Sequence, residues 1–170
     1  IKGQRMSKRS GHFTTLDELL EDVGPDVVRF FMLMRAAGSH LDFDLDLARE
    51  QSEKNPVYYV QYAHARICRV IEKAEAEGFL DESGEVSLLR HPAEHLLIRR
   101  LLELSDTIDR AVSELEPHHL TTYARDLAGS FHVFYRDCRV VDMDNGALTL
   151  ARLKLVRAAR LGLARTLELL

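Results

Sequence analysis

Asn55-Pro56-Val57-Tyr58-Tyr59-Val60-Gln61-Tyr62-Ala63-His64-Ala65-Arg66-Ile67 decides how the chain folds. Asparagine followed by proline supplies a helix N-cap and a first-turn residue that gives up no intrahelical hydrogen bond. Val60, Ala63, Ile67, Val70, Ile71 and Ala74 then recur at helical spacing as far as Gly78, so one face of a long helix is apolar and needs other helices to cover it.

Those partners are predicted downstream. Phe79 to His91 is turn-rich, a connector. Pro92 and Pro117 open two further helices, the first carrying Leu97, Leu101, Leu104 and Ile108, the second Leu120, Leu127, Phe131, Phe134 and Cys138. Asn145-Gly146 marks a turn before a last helix that runs to the end and would turn Leu153, Val156, Leu163 and Leu167 inward. Upstream, Thr15 and Glu18 have capping-box spacing for a short helix that stops near Gly24, and Pro25 opens another that runs to about Ala36. Gly38 to Asp44 alternates apolar and acidic residues, which suits a short extended segment. The predicted fold class is mainly α: an antiparallel helical bundle over residues 53–170, preceded by a small α/β connecting segment within residues 1–52. No short internal repeat is visible.

The chain has 170 residues, enough for one helical domain plus a piece of another. With 46% apolar residues and no apolar run of spanning length, it is expected to be soluble, with no membrane partner. No secretory signal opens it, and a cytoplasmic, monomeric protein is expected. It begins at Ile1 rather than Met, which suggests an excised or truncated piece. Cys68 and Cys138 are too few and too far apart for a disulfide framework or a C-x-x-C metal site, so reduced, buried thiols are expected. Net charge −4 argues against a nucleic-acid partner until its distribution is considered. Residues 1–12 carry cations and no acid, and from Arg152 to Arg165 the chain adds Lys154, Arg157 and Arg160, again without an acid. Separated fields of this kind permit an RNA-facing surface on a mildly acidic protein.

Arg5-Met6-Ser7-Lys8-Arg9 resembles the K-M-S-K-S loop of class I aminoacyl-tRNA synthetases, with Arg5 for the first lysine and Arg9 for the last serine. A positioned ammonium there favours the transition state in which charge grows on departing pyrophosphate. Ser10 to Leu16, Val23 to Phe31, and above all Ser39-His40-Leu41-Asp42-Phe43-Asp44-Leu45-Asp46-Leu47-Ala48 leading into the Asn55 helix resemble arginyl-tRNA synthetases. Phe131 to Val140 and Ala151 to Ala164 resemble the DALR anticodon-binding domain of the same family, so that nearly the whole chain carries the likeness.

The resemblance implies that residues 1–52 end a class I catalytic domain and that residues 53–170 form the anticodon-binding bundle. It implies Lys8 as a catalytic residue, within an ATP-phosphate loop of Arg5, Met6, Ser7, Lys8 and Arg9. For tRNA it implies Tyr58, Tyr62, Arg66 and Arg69 on the Asn55 helix, Tyr135 on the helix that follows Pro117, Arg139 just past Cys138, and Arg157 and Arg160 on the last helix. Phe131 and Phe134 are expected in the core. ATP with Mg²⁺, arginine and arginine-accepting tRNA are the implied substrates and partners of the parent enzyme, with no cofactor held tightly by this chain. The chain contains no H-I-G-H-type motif, so alone it is expected to be inactive. The alternatives are a non-catalytic helical RNA-binding or protein-interaction module, or the anticodon domain of a sibling class I synthetase such as that for cysteine.

No metal site is expected. Asp42, Asp44, Asp46 and Glu53 have EF-hand spacing, but Leu47 stands where the turn requires glycine, so these acids are read as bordering the domain junction or pairing with arginines. His91 and His95 lie four apart without a third ligand and are read as a solvent-exposed helix start. His118-His119 is read the same way.

Overall fold

A computed structural model describes residues 14–81 and 83–170. The Arg5 to Arg9 loop, Lys8 included, lies outside the described residues.

Three short helices come first: α1 (Leu16–Val23), α2 (Pro25–Leu33) and α3 (Leu45–Arg49). The Thr15–Glu18 capping box forms as its spacing predicts, and Gly24, at φ 84°, makes the left-handed turn between α1 and α2 that a side chain would strain. Asp44 is a helix cap, its carboxylate accepting from the Leu47 N–H at 3.1 Å, and Asp22 pairs with Arg49 at 2.9 Å. Residues 40–44 run without a partner strand, so the alternation seen there produces no sheet among the described residues.

The bundle follows: α4 (Pro56–Ala76), α5 (Pro92–Leu102), α6 (Leu104–Glu114), α7 (His118–Asp137) and α8 (Gly146–Leu169). Asn55 caps α4 with its side-chain oxygen on the Val57 N–H at 3.0 Å, while its amide donates back to the Ala48 and Glu50 carbonyls, locking α3 to the start of the bundle. Val60, Ala63, Ile67, Leu97, Leu127, Phe131, Phe134, Leu153, Val156 and Leu163 are fully buried in one core that Phe30, Phe31 and Ala48 join from the preceding helices. Phe131 and Phe134 are therefore core residues, as expected. Gly162 lets α8 come close, since a Cβ there would sit 3.0 Å from Leu101 and 3.3 Å from Leu127.

One predicted helix is two. The apolar spacing continues through Leu101, Leu104 and Ile108, yet the helix breaks at Glu103, whose carbonyl accepts both from the Thr107 N–H and from its hydroxyl at 2.7 Å, a competition that bends helices. The connector contains a 3₁₀ turn (Val86–Leu88) laid against α8. Cys68 and Cys138 are free thiols, Cys138 buried and Cys68 half-buried.

Candidate nucleic-acid interface

Four of the residues singled out for RNA come together where α4 and α7 face each other. Tyr58, Tyr62 and Arg66 recur every four residues and so share one face of α4. Tyr135 reaches them from α7. The Arg66 guanidinium lies 4.5 Å from the Tyr62 ring centre and 5.0 Å from that of Tyr135, sandwiched between the two. Its Nη2 donates to the Tyr62 hydroxyl at 2.6 Å. Tyr58 continues the platform, its ring nearly parallel to that of Tyr62 (8°) with centres 6.0 Å apart.

The platform remains open to solvent: Tyr62 is 40% and Tyr135 41% exposed. Large exposed aromatic rings held in fixed orientation on rigid helices are unusual in a residue class that gains most by burial. Beside them a groove of about 620 Å³ is lined by Gln51, Glu53, Tyr59, His132, Val133 and Arg136.

His132 is the member that sequence reading did not single out. Its Nδ1 lies 3.3 Å from Arg66 Nη1, and because a guanidinium can only donate, Nδ1 is the acceptor, while Nε2 is buried and makes no hydrogen bond. Burial, followed by the Arg66 charge, pushes the His132 pKa below the usual imidazole value. The ring packs 4.9 Å from that of Tyr59 and 6.1 Å from that of Tyr62. A neutral histidine thus buttresses the arginine from beneath without adding charge. Its spacing from Tyr135, three positions along α7, was the available signal.

The remaining candidates lie elsewhere. Arg69 is exposed on α4. Arg139 is exposed, 3.6 Å from Asp142. Arg157 donates to the Asp81 carbonyl at 3.1 Å and holds the connector. Arg160 is exposed and adds to the burial that lowers the pKa of His64, which is about 200° around α4 from Tyr62. The cationic face predicted for α8 is smaller than its sequence suggests: Arg152 is 14% exposed and paired with buried Glu94 at 2.7 Å, and Lys154 donates to the Gly84 carbonyl at 3.3 Å.

His91 caps α5 through Nδ1, accepting from the Ala93 N–H at 3.2 Å, and is exposed as expected. His118 and His119 are not exposed. Their side chains retain 22% and 14% of their surface because the α6–α7 turn folds Glu114 and Glu116 over them.

Residues 60–170 match the DALR anticodon binding domain family. The chain is 52% identical over 166 residues to an arginine–tRNA ligase of Dehalococcoides mccartyi, covering 98% of this chain and 30% of that protein. It is 50% identical over 171 residues to the one of Heliobacterium modesticaldum, covering 96% and 30%. The chain thus spans about 30% of the length of these curated relatives. Among solved structures, Thermus thermophilus arginyl-tRNA synthetase superposes with a TM-score of 0.71 at 29% identity, over 95% of this chain and 28% of that one. A Campylobacter jejuni protein assigned as an arginyl-tRNA synthetase superposes with a TM-score of 0.84 at 27% identity, over 96% and 35%. The chain belongs to the DALR anticodon-binding domain family, in the form that arginyl-tRNA synthetases carry.

Proposed function

We propose that this chain is the tRNA-binding part of an arginine–tRNA ligase, acting as a monomer in the cytoplasm, and that the platform of Tyr58, Tyr62, Arg66 and Tyr135 receives unpaired bases of the anticodon loop. The observation that carries this reading is the Arg66 sandwich between two half-open tyrosines. A delocalised cation between rings fixes both faces before RNA arrives, which lowers the ordering cost of binding. Unpaired bases gain by stacking on such rings, and the guanidinium offers charge to a phosphate. His132 remains neutral beneath, so the site's charge comes from Arg66. Arg136 extends the groove wall, its guanidinium paired with Asp137 at 2.7 Å. Arg69, Arg139 and Arg160 lie on the surface where the phosphate backbone could be met, and Arg157 contributes from the connector side.

In the parent protein, residues 1–52 would complete the catalytic domain, and Arg5, Met6, Ser7, Lys8 and Arg9 would form the ATP-phosphate loop. Lys8 would stabilise charge on the pyrophosphate that leaves when the arginine carboxylate attacks the α-phosphate, before the arginyl group passes to tRNA, and bound Mg²⁺ would supply further positive charge there.

Binding of arginine-accepting tRNA to this chain, measured across a salt series, tests the interface. Arg66→Ala and Tyr135→Ala are each expected to weaken binding while far-UV circular dichroism stays unchanged. In the full-length protein, Lys8→Ala is expected to slow adenylate formation by about 100-fold or more, the scale of one lost transition-state donor. Unchanged affinity in both platform variants would leave a helical interaction module as the better reading.

A further inference from the structure

Among the described residues, one group of side chains can close around a metal ion: Glu116, His118 and His119, whose ligand atoms all lie within 4.8 Å of one another. We propose that these three residues bind a divalent transition-metal ion of the zinc type at the turn between α6 and α7, with solvent completing the shell.

The turn itself creates the cluster. Leu115 adopts a left-handed conformation (φ 55°, ψ 37°) that reverses the chain immediately after α6, and Pro117 opens α7 two residues later. Glu114 is thereby folded back toward His119, and Glu116 toward both imidazoles. Glu116 is central to the group, and Glu114 is held outside it by His119 and Arg110. His119 Nε2 lies 2.8 Å from Glu114 Oε2 and 3.5 Å from Glu116 Oε2, and His118 Nδ1 lies 3.5 Å from Glu116 Oε2. Four nitrogen and oxygen ligands placed tetrahedrally at zinc bond lengths stand about 3.3 Å from one another. The two edges that Glu116 makes, 3.5 Å to each imidazole, are close to that value.

Hydrogen bonds leave one member of the cluster unsatisfied: His119 has Glu114 as a partner at 2.8 Å, but His118 Nδ1 is buried and makes no hydrogen bond. A buried nitrogen lone pair without a donor costs about 1–3 kcal/mol, and a metal would engage it. One carboxylate and two neutral imidazoles present charge −1 to a divalent ion. Mixed nitrogen and oxygen donors select zinc over calcium or magnesium, which take oxygen. Arg110, 3.1 Å from Glu114, keeps that carboxylate outside the site. The site is structural: it would staple the end of α6 to the start of α7, the helix that carries His132 and Tyr135.

The test uses the whole chain after stripping with a chelator. Calorimetric titration with Zn²⁺ is expected to show one saturable site, Zn²⁺ to raise the thermal midpoint, and Co²⁺ to give the intense visible bands of tetrahedral coordination. His118→Ala and His119→Gln should each weaken Zn²⁺ binding by about 10-fold or more, and His95→Gln, at the other histidine pair, should not. Glu116→Gln preserves size and one oxygen, so if a histidine variant fails to fold this variant, checked by circular dichroism, must show the loss. No saturable binding, a six-coordinate Co²⁺ spectrum, or unchanged affinity in folded Glu116→Gln would overturn the proposal.

Discussion

Arg152→Gln is predicted to destabilise the bundle far more than a surface arginine change. Arg152 Nε meets Glu94 Oε1 at 2.7 Å, the Glu94 side chain is 1% exposed, and Arg152 Nη1 also donates to the Arg139 carbonyl at 2.8 Å. One bond network therefore joins the first turn of α5, the first turns of α8 and the loop after α7. At this separation and an effective dielectric of ~20, the attraction is about 6 kcal/mol before the desolvation of both ions is subtracted. Removing the arginine strands a buried carboxylate whose remaining partner is the His91 N–H at 2.8 Å. The expected loss is about 3–5 kcal/mol, the usual cost of breaking a buried pair from one side. For a chain of this size that lowers the thermal midpoint by about 6–20 °C. Glu94→Gln should cost less, because Arg152 retains a path to solvent and the amide can still accept from the His91 N–H. Thermal and urea unfolding at neutral pH, followed by circular dichroism, measure both. A loss below about 1 kcal/mol for Arg152→Gln, the range of surface substitutions, would refute the reasoning and return Arg152 to the exposed cations.

Tyr123 is buried, its hydroxyl makes no hydrogen bond, and burial pushes its pKa up to about 12, so Tyr123→Phe should be neutral or stabilising by about 1 kcal/mol in urea unfolding. Gly84→Ala should destabilise the fold and loosen the connector in hydrogen exchange, because the new Cβ would lie 2.2 Å from the Leu150 carbonyl oxygen. His132 has its pKa lowered by burial and Arg66, so the unfolded chain holds that proton more tightly. Its stabilising share is complete above the ordinary imidazole pKa of about 6.5 and is lost as pH falls through the folded value. His132→Gln should flatten the fall in stability on acidification, leaving the part due to His64, which shifts the same way; unchanged slopes would contradict this.

The sequence showed most where structure is local. The Thr15–Glu18 box, the Asn55-Pro56 start of α4 and the turn at Asn145 each depend on residues within one helical turn, and all formed. Long-range electrostatics were not legible. Nothing near Arg152 in the chain indicates Glu94, which is 58 positions away, so Arg152 reads as one more surface cation. Helical periodicity also continues unbroken across Glu103, where α5 ends and α6 begins. At the interface, the Tyr58, Tyr62 and Arg66 spacing was readable on α4, but His132 lies in a run dominated by Phe131 and Phe134 and acquires its role only when α7 docks against Arg66. The pair His118-His119 reads as exposed because the left-handed residue that folds Glu114 over it is a leucine, which rarely adopts that conformation.

The most direct test of the account is anticodon discrimination by this chain. Affinity is measured by fluorescence anisotropy for arginine-accepting tRNA and for the same tRNA with its anticodon replaced, using the parent chain and Tyr62→Ala. The parent chain is expected to prefer the cognate anticodon, and Tyr62→Ala to lose about 1–3 kcal/mol of cognate binding, the worth of one stacked base, with little change toward the altered tRNA. Equal losses for both tRNAs, or no preference in the parent chain, would contradict it.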